Sequence, residues 1–414
     1  MTAPLLIIGA GLAGWTTARE FRKLDTQTPI LLVTADSGDF YAKPSLSNAL
    51  VQQRGPAQLV STAAAKMSES LKVTLLAHTR VTALHPLTNS ISTSQGDFSY
   101  SQLVLATGAQ PIRVPLEGEA ATQVLSINSL DDFALFHARL TPPRTDGRPT
   151  QVLIMGAGLI GCEFANDLAA SGFGVTVVDP ANAPLAALLP PEASLQLRDA
   201  LGALGVNWHW GDTVKAVRYT TPPNSASLTS PTQGAALQVE LTSGVQVPVD
   251  MVLSAIGLRS ETALAQAAGL VCERGVQVDA SLQTSAPHIF SLGDSAQYGP
   301  GLWHAEAAAG STPRQPTGGR TLPYVMPIMS AAKALAATLV GQRTEVVFPL
   351  MPVAVKTPAL PMVVAPPAPG TPGQWLSAEP GLWQFNDAQG LRRGFVLTGS
   401  QTPRRGEQAK LVVA

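Results

Sequence analysis

The chain has 414 residues, 45% hydrophobic and 13% charged, with a net charge of −1. That length suggests two or three domains, each able to bury a core, while the near-zero charge supplies no global field to draw nucleic acid. No apolar run is long enough to span a membrane, and Cys162 and Cys272, far apart and outside any C-x-x-C pair, argue against structural disulfides or a thiol relay.

In chain order, the apolar run Leu5-Leu6-Ile7-Ile8 predicts a strand entering Gly9-Ala10-Gly11-Leu12-Ala13-Gly14. It starts almost at Met1, which leaves no room for a signal peptide and makes the cytoplasm the expected compartment. A helix should follow through Trp15–Arg22 and end before Pro29, then a strand over Pro29–Thr34. A later strand, Leu103–Ala106, runs into Thr107-Gly108-Ala109. After a polar loop from Thr141 to Gly147, the pattern repeats as Val152-Leu153-Ile154-Met155-Gly156-Ala157-Gly158-Leu159-Ile160-Gly161, with a helix from Cys162 and a strand Val175–Val178 ending on Asp179. Thr220–Ala236 and Gly299–Thr321, rich in Pro, Ser, Thr, Gly and Ala, read as surface insertions. Short apolar runs broken by prolines, as in Phe348–Pro358, read as a small α+β or β-rich tail.

One glycine fingerprint would be weak evidence. Two, each between a strand and a helix, imply two dinucleotide sites on one polypeptide and hence electron passage between them. Gly9 and Gly156 would allow the turn, Gly11 and Gly158 the approach of a pyrophosphate, and Gly14 and Gly161 the packing of helix on sheet. Asp179 stands where an acid meets the adenine-side ribose of NAD; no Arg or Lys follows closely, so NADH is favoured over NADPH. In the first unit Thr34-Ala35 occupies that place with Asp36 just beyond, and the residue that meets a ribose is left open. Cys162, at a helix start, reads as a packed core residue rather than a reactive thiol. From Ser311 onward the chain holds 10 Lys+Arg and 4 Asp+Glu, a balance of +6 against −7 elsewhere; an acidic partner and a merely solvated surface both fit that bias.

Together these segments resemble the two-dinucleotide flavoprotein reductases, FAD/NAD(P)-linked relatives of glutathione reductase. Leu105-Ala106-Thr107-Gly108-Ala109 and Ser254-Ala255-Ile256-Gly257-Leu258-Arg259 resemble the two crossovers between the FAD and NAD domains, and Ile289–Asp294 resembles the second FAD motif. Tyr41–Ser47 is similar to the flavin-proximal loop of rubredoxin and ferredoxin reductases. Gly161–Leu168, Tyr324–Pro327 and Val353–Pro358 resemble stretches of the rubredoxin reductases in particular. The resemblance implies an α/β fold: two Rossmann-like domains and a small C-terminal α+β domain. FAD would bind residues 1–117 and 251–345, NAD residues 118–250, and the tail domain would span 346–414.

By the same resemblance FAD would contact Gly9, Ala10, Gly11, Leu12, Ala13, Gly14, Thr34, Ala35, Lys43, Val81, Ala106, Thr107, Gly108, Gly293, Asp294 and Val325. NADH would contact Gly156, Gly158, Leu159, Ile160, Gly161, Asp179 and Gly257, and Glu163 would lie at the flavin. Lys43 and Glu163 are expected as an ion pair beside the flavin. Lys356 is expected either to reach flavin or ribityl oxygens or to serve partner docking. No metal ligand is expected. The implied activity is electron transfer from NADH through FAD to rubredoxin, as in alkane hydroxylation, with Lys333, Arg343, Arg392 and Arg393 as candidate docking cations. An NADH-dependent ferredoxin reductase and a type II NADH–quinone reductase are the alternatives, the latter disfavoured because no C-terminal amphipathic helix with a basic face is found. Thiol-using relatives need a cysteine near the flavin, and residues 36–58 have none. A non-catalytic sensor would not need intact motifs for both cofactors.

Overall fold

The computed structural model describes residues 3–140, 147–220, 236–299, 319–350, 352–368 and 370–413. The expected polar loop and both expected insertions fall mainly on 141–146, 221–235 and 300–318, outside the described residues. The chain divides into two discontinuous units: Met1–Ala42, Val60–Gln110 and Leu258–Met351 form the first, and Lys43–Leu59, Pro111–Gly257 and Pro352–Ala414 the second.

In the first unit, strand Leu5–Ile8 pairs in parallel with Ile30–Val33 on one side and Gln102–Leu105 on the other, and Val73–Leu76 and Ile289–Ser291 complete a five-stranded parallel sheet. Leu5 and Ile7 enter one core with Trp15, Phe21 and Leu335; Leu6 and Ile8 enter another with Leu84, Ile91 and Leu103. Burial on both faces explains why these strands read as unbroken apolar runs instead of alternating. Helices Leu12–Leu24 and Val325–Leu339 pack together on the first of these faces. The second helix opens at Val325 with Pro327 in its first turn, where proline costs no hydrogen bond.

The second unit repeats the scheme. Strands Gln151–Met155, Gly174–Asp179, Val206–Trp210 and Met251–Ser254 form a parallel sheet with Gln151–Met155 inside it. One face carries the antiparallel meander Val214–Tyr219, Leu237–Leu241 and Gln246–Val249, whose Val217 and Val239 pack with Leu153, Met155 and Val252. The tail forms a five-stranded antiparallel sheet from Val353–Val355, Met362–Ala365, Arg392–Thr398, Leu382–Asp387 and Gly373–Glu379, closed by the short helix Arg405–Lys410.

Candidate dinucleotide cradles and the Glu163 cluster

The two glycine loops have the same geometry. Gly9 and Gly156 adopt φ of +107° and +101°, a region side chains resist. Their N–H groups donate to the Val33 and Val178 carbonyls, each at 2.8 Å, and tie each loop to the neighbouring strand. A Cβ on Gly14 would lie 1.9 Å from the Gly9 carbonyl oxygen, and one on Gly161 equally 1.9 Å from that of Gly156. The middle glycines differ in kind, since a Cβ on Gly11 or Gly158 would meet nothing within 4 Å. Protein packing therefore leaves space on that side of each loop. Gly11 and Gly158 are also helix N-caps without a side-chain cap, so first-turn N–H groups and the positive end of each helix dipole are presented to an anion. Donor set, polarity and open side fit a dinucleotide pyrophosphate in both units.

Around the first loop, the Ala106 carbonyl lies 2.3 Å from a Cβ built on Gly9, so the Leu105–Gly108 stretch passes directly behind the turn. Thr107 Oγ1 donates to the Glu261 carbonyl at 3.1 Å and the Gly108 carbonyl accepts from Glu261 N at 2.9 Å. Gly293, with φ +75°, faces Ala13, and its N–H donates to the buried Tyr298 Oη at 2.8 Å. This brings the Gly293-Asp294 turn against the helix that starts from the first loop. Thr34 is buried and its hydroxyl donates to Asp36 Oδ1 at 2.6 Å, which also accepts from Gly38 N at 3.0 Å; Ala35 is exposed. Val81, half-buried, opens the strand Val81–His85, and Val325 is exposed at its helix start.

In the second unit Asp179 Oδ2 accepts from Ala157 N at 2.6 Å and Oδ1 from Ala181 N at 2.7 Å. The acid expected at the ribose thus also braces the glycine loop. Ile160 is exposed and Leu159 half-buried beside it; Gly257, at φ +111°, accepts from Ile112 N at 3.0 Å. The Cys162 thiol is fully buried and donates to the Ala157 carbonyl at 3.3 Å. Burial, then the charges of Asp179 and Glu163, push its pKa far up, so it is no nucleophile. Both cysteines are free.

Helix Leu159–Ala170 carries a second polar centre. Glu163, 3% exposed, accepts from Ser47 Oγ at 2.6 Å and from Lys356 Nζ on Oε2, and from the Lys356 backbone N–H at 3.0 Å on Oε1. Lys356 Nζ also donates to Ser47 Oγ at 2.9 Å. The expected ion pair therefore takes a different form: the cation on Glu163 is Lys356, and Lys43, exposed, donates to Asn128 Oδ1 at 3.2 Å. A lysine 193 residues away enters because the tail returns to this helix. Ser47, Asn166, Asp167 and Tyr298 were not singled out in the sequence. The only signal for Asn166 and Asp167 was Glu, Asn and Asp at i, i+3 and i+4 of one helix, and Ser47 and Tyr298 had none.

The candidate docking cations are divided between the two units. Lys333 and Arg343 belong to the first unit, Arg392 and Arg393 to the second. Arg343 pairs with Asp279 at 3.1 Å and Arg393 with Asp387 at 2.7 Å, and Arg392 donates to Gln408 Oε1 at 2.9 Å.

Two pyrophosphate-type cradles on one polypeptide define a two-dinucleotide oxidoreductase. The family model described as pyridine nucleotide-disulphide oxidoreductase matches residues 3–310, and the one described as rubredoxin binding C-terminal domain matches residues 345–412. The chain is 41% identical to rubredoxin-NAD(+) reductase of Alcanivorax borkumensis over 96% of this chain and 95% of that protein. It is 38% identical to the protein of the same name in Acinetobacter baylyi (96% and 94% covered), and 39% identical to nitric oxide reductase FlRd-NAD(+) reductase of Aeromonas salmonicida (96% and 93%). Among solved structures, putidaredoxin reductase in its covalent complex with putidaredoxin shares the fold, with TM-score 0.82, 21% identity and coverage of 99% of this chain and 93% of that one. The chain belongs to the pyridine nucleotide-disulphide oxidoreductase family.

Proposed function

We propose that this protein is an FAD-containing reductase that takes electrons from NADH and delivers them singly to rubredoxin, in a chain of the alkane-hydroxylation type. The observation that carries this reading is the pair of sterically equivalent glycine cradles on one polypeptide whose residues 345–412 match a rubredoxin binding domain. We assign FAD to residues 1–117 and 251–345, NADH to 118–250, and carrier binding to 346–414. The flavin would supply the conversion of a two-electron donor into a one-electron source.

The chain's own residues do the rest. Leu12, Ala13 and Gly14 in one loop, and Leu159, Ile160 and Gly161 in the other, offer N–H groups to diphosphate oxygens. Asp294 takes the ribityl hydroxyls, and Asp179 the adenine-side ribose of NADH. Ala10, Thr34, Ala35, Val81, Ala106, Thr107, Gly108 and Val325 line the FAD side. Gly257 lines the NADH side. Lys356, held by Glu163 and Ser47, is the working cation of the second unit, and Lys43 contributes a further positive charge. The dipole of helix Val325–Leu339 favours negative charge at its start.

Two free cysteines, one of them inert, fit a reducing compartment, and we place the protein in the cytoplasm. Among the described residues no helix is long and apolar enough to cross a membrane. The test is an acceptor panel. Holoenzyme with NADH should reduce rubredoxin well above ferredoxin and a soluble quinone; a clear preference for either of the latter would replace this reading with the corresponding alternative. FlRd belongs in the same panel, because a protein 39% identical carries that name.

A further inference from the structure

Glu163, Asn166 and Asp167 lie at i, i+3 and i+4 of helix Leu159–Ala170, which places them on one face. They are 3%, 2% and 1% exposed. Three buried polar side chains in a row on one helix need partners, and each side chain accepts hydrogen bonds from residues outside the helix. Asp167 accepts from Leu50 N at 3.0 Å and from Val51 N at 2.8 Å, which fixes the end of the turn carrying Ser47. Asn166 Oδ1 accepts from Ala359 N at 3.0 Å, which fixes the turn carrying Lys356. That turn is closed on itself by Leu360 N to the Thr357 carbonyl at 2.9 Å and by Thr357 Oγ1 to the Leu360 carbonyl at 2.8 Å. Two segments more than 300 residues apart, at Ser47 and Lys356, thus meet on Glu163 through separate anchors one helical step away.

We infer that Asn166 and Asp167 are positioning residues: Asn166 sets where Lys356 stands and Asp167 sets where Ser47 stands, so that both converge on Glu163. This deepens the reading of Lys356 as a working cation and rests on it for its importance. Asp167 also couples to Lys356 electrostatically. Burial raises its pKa, the two backbone N–H bonds oppose that, and the Lys356 charge opposes it further. Neither residue need touch a cofactor or substrate.

The test uses the full-length holoprotein without donor or acceptor. Brief acetylation with acetic anhydride is read residue by residue by mass spectrometry, with Lys215 and Lys333 as internal references. Asn166→Ala should speed modification of Lys356 roughly fivefold relative to the references, the weight of one net hydrogen bond. Asp167→Ala should speed it roughly tenfold, since a charge-assisted pair of bonds is lost. Asn166→Asp, which keeps an oxygen facing the Ala359 N–H, should stay much closer to the parent protein, and Asp167→Asn, which keeps one of the two acceptor oxygens, should fall between the parent and Asp167→Ala. The inference is overturned if Lys356 reacts no faster in either alanine variant, or if Lys215 and Lys333 accelerate equally, which would mark a purely structural role. Because no electron transfer is measured, this result is independent of the acceptor panel.

Discussion

At the scale of single residues, glycine is demanded for two separable reasons. Gly14 and Gly161 are demanded by the protein itself, through a contact 1.9 Å from a carbonyl oxygen. No protein neighbour demands Gly11 or Gly158, and on our assignment the bound pyrophosphate does. Gly161→Ala should therefore cost about 1–3 kcal/mol of stability as the helix is pushed off its loop, measurable by thermal melts, and weaken NADH while the protein still purifies yellow. Gly158→Ala should leave the melt unchanged and weaken NADH alone, as judged by titration. Equal melting losses in both variants would contradict this division. Asp179 has two tasks as well: bracing Ala157 N and, on our assignment, meeting the ribose. Asp179→Asn keeps an acceptor for the loop but loses the charge that repels a 2′-phosphate. The NADH-over-NADPH ratio of kcat/KM should then fall roughly tenfold, about 1.4 kcal/mol of discrimination, with one of the two bracing hydrogen bonds kept and the other lost. An unchanged ratio would remove Asp179 from nucleotide selection. These features were legible in the sequence because each rests on a few adjacent residues.

At the scale of elements, helix Leu159–Ala170 is a cradle at its start and an anchor along its body. The first role was legible from Gly156, Gly158 and Gly161; the second was not. The resemblance pointed to Glu163 as half of an ion pair, yet its cation was assigned to Lys43, because the return of the tail that delivers Lys356 depends on contacts across 193 residues. Glu163 is buried but the Lys356 side chain is 27% exposed and keeps its bond to Ser47, so Glu163→Gln should leave Lys356 partly undercompensated and cost roughly 1–3 kcal/mol, seen as a lowered urea midpoint. A loss below the level of an exposed ion pair would contradict the burial argument. Asp167 adds a pH signature. Its folded pKa is raised by burial above the unfolded value of 3.8, so the native state holds that proton more tightly. Its stability contribution is then greatest below the unfolded value and falls as pH rises through the raised folded value. Asp167→Asn, which cannot titrate, should lose this slope in acid unfolding curves. An identical slope in both proteins would assign it to other carboxylates.

At the scale of the whole molecule, the charge count was legible and its distribution was not. The +6 balance from Ser311 onward includes cations already spent on neighbours: Arg393 on Asp387, and Arg404 on Glu379 and Glu407. Arg405 and Lys410 remain exposed on the closing helix and are better placed to meet an acidic carrier. Charge reversal there should slow rubredoxin reduction and flatten its loss with salt, because the attraction that salt screens is gone, while ferricyanide reduction by NADH stays unchanged. Reversal of Arg393 should instead destabilise the tail sheet. If the Arg405 and Lys410 variants behave like the Arg393 variant, docking does not use the closing helix. The fold itself was readable because two duplicated strand–loop–helix units dominate it. The tail, built from short antiparallel strands joined at its middle by the out-of-sequence pairing of Met362–Ala365 with Arg392–Thr398, showed only its β-rich character.

The most direct measurement is anaerobic double mixing in a stopped-flow instrument, with holoenzyme met first by NADH and then by oxidised rubredoxin. Flavin absorbance should bleach on the first mix and recover on the second as rubredoxin loses its own colour, two rubredoxins for each NADH consumed. Flavin that does not bleach with NADH, or that bleaches and stays reduced in the presence of rubredoxin, would contradict electron passage from NADH through this chain to that carrier.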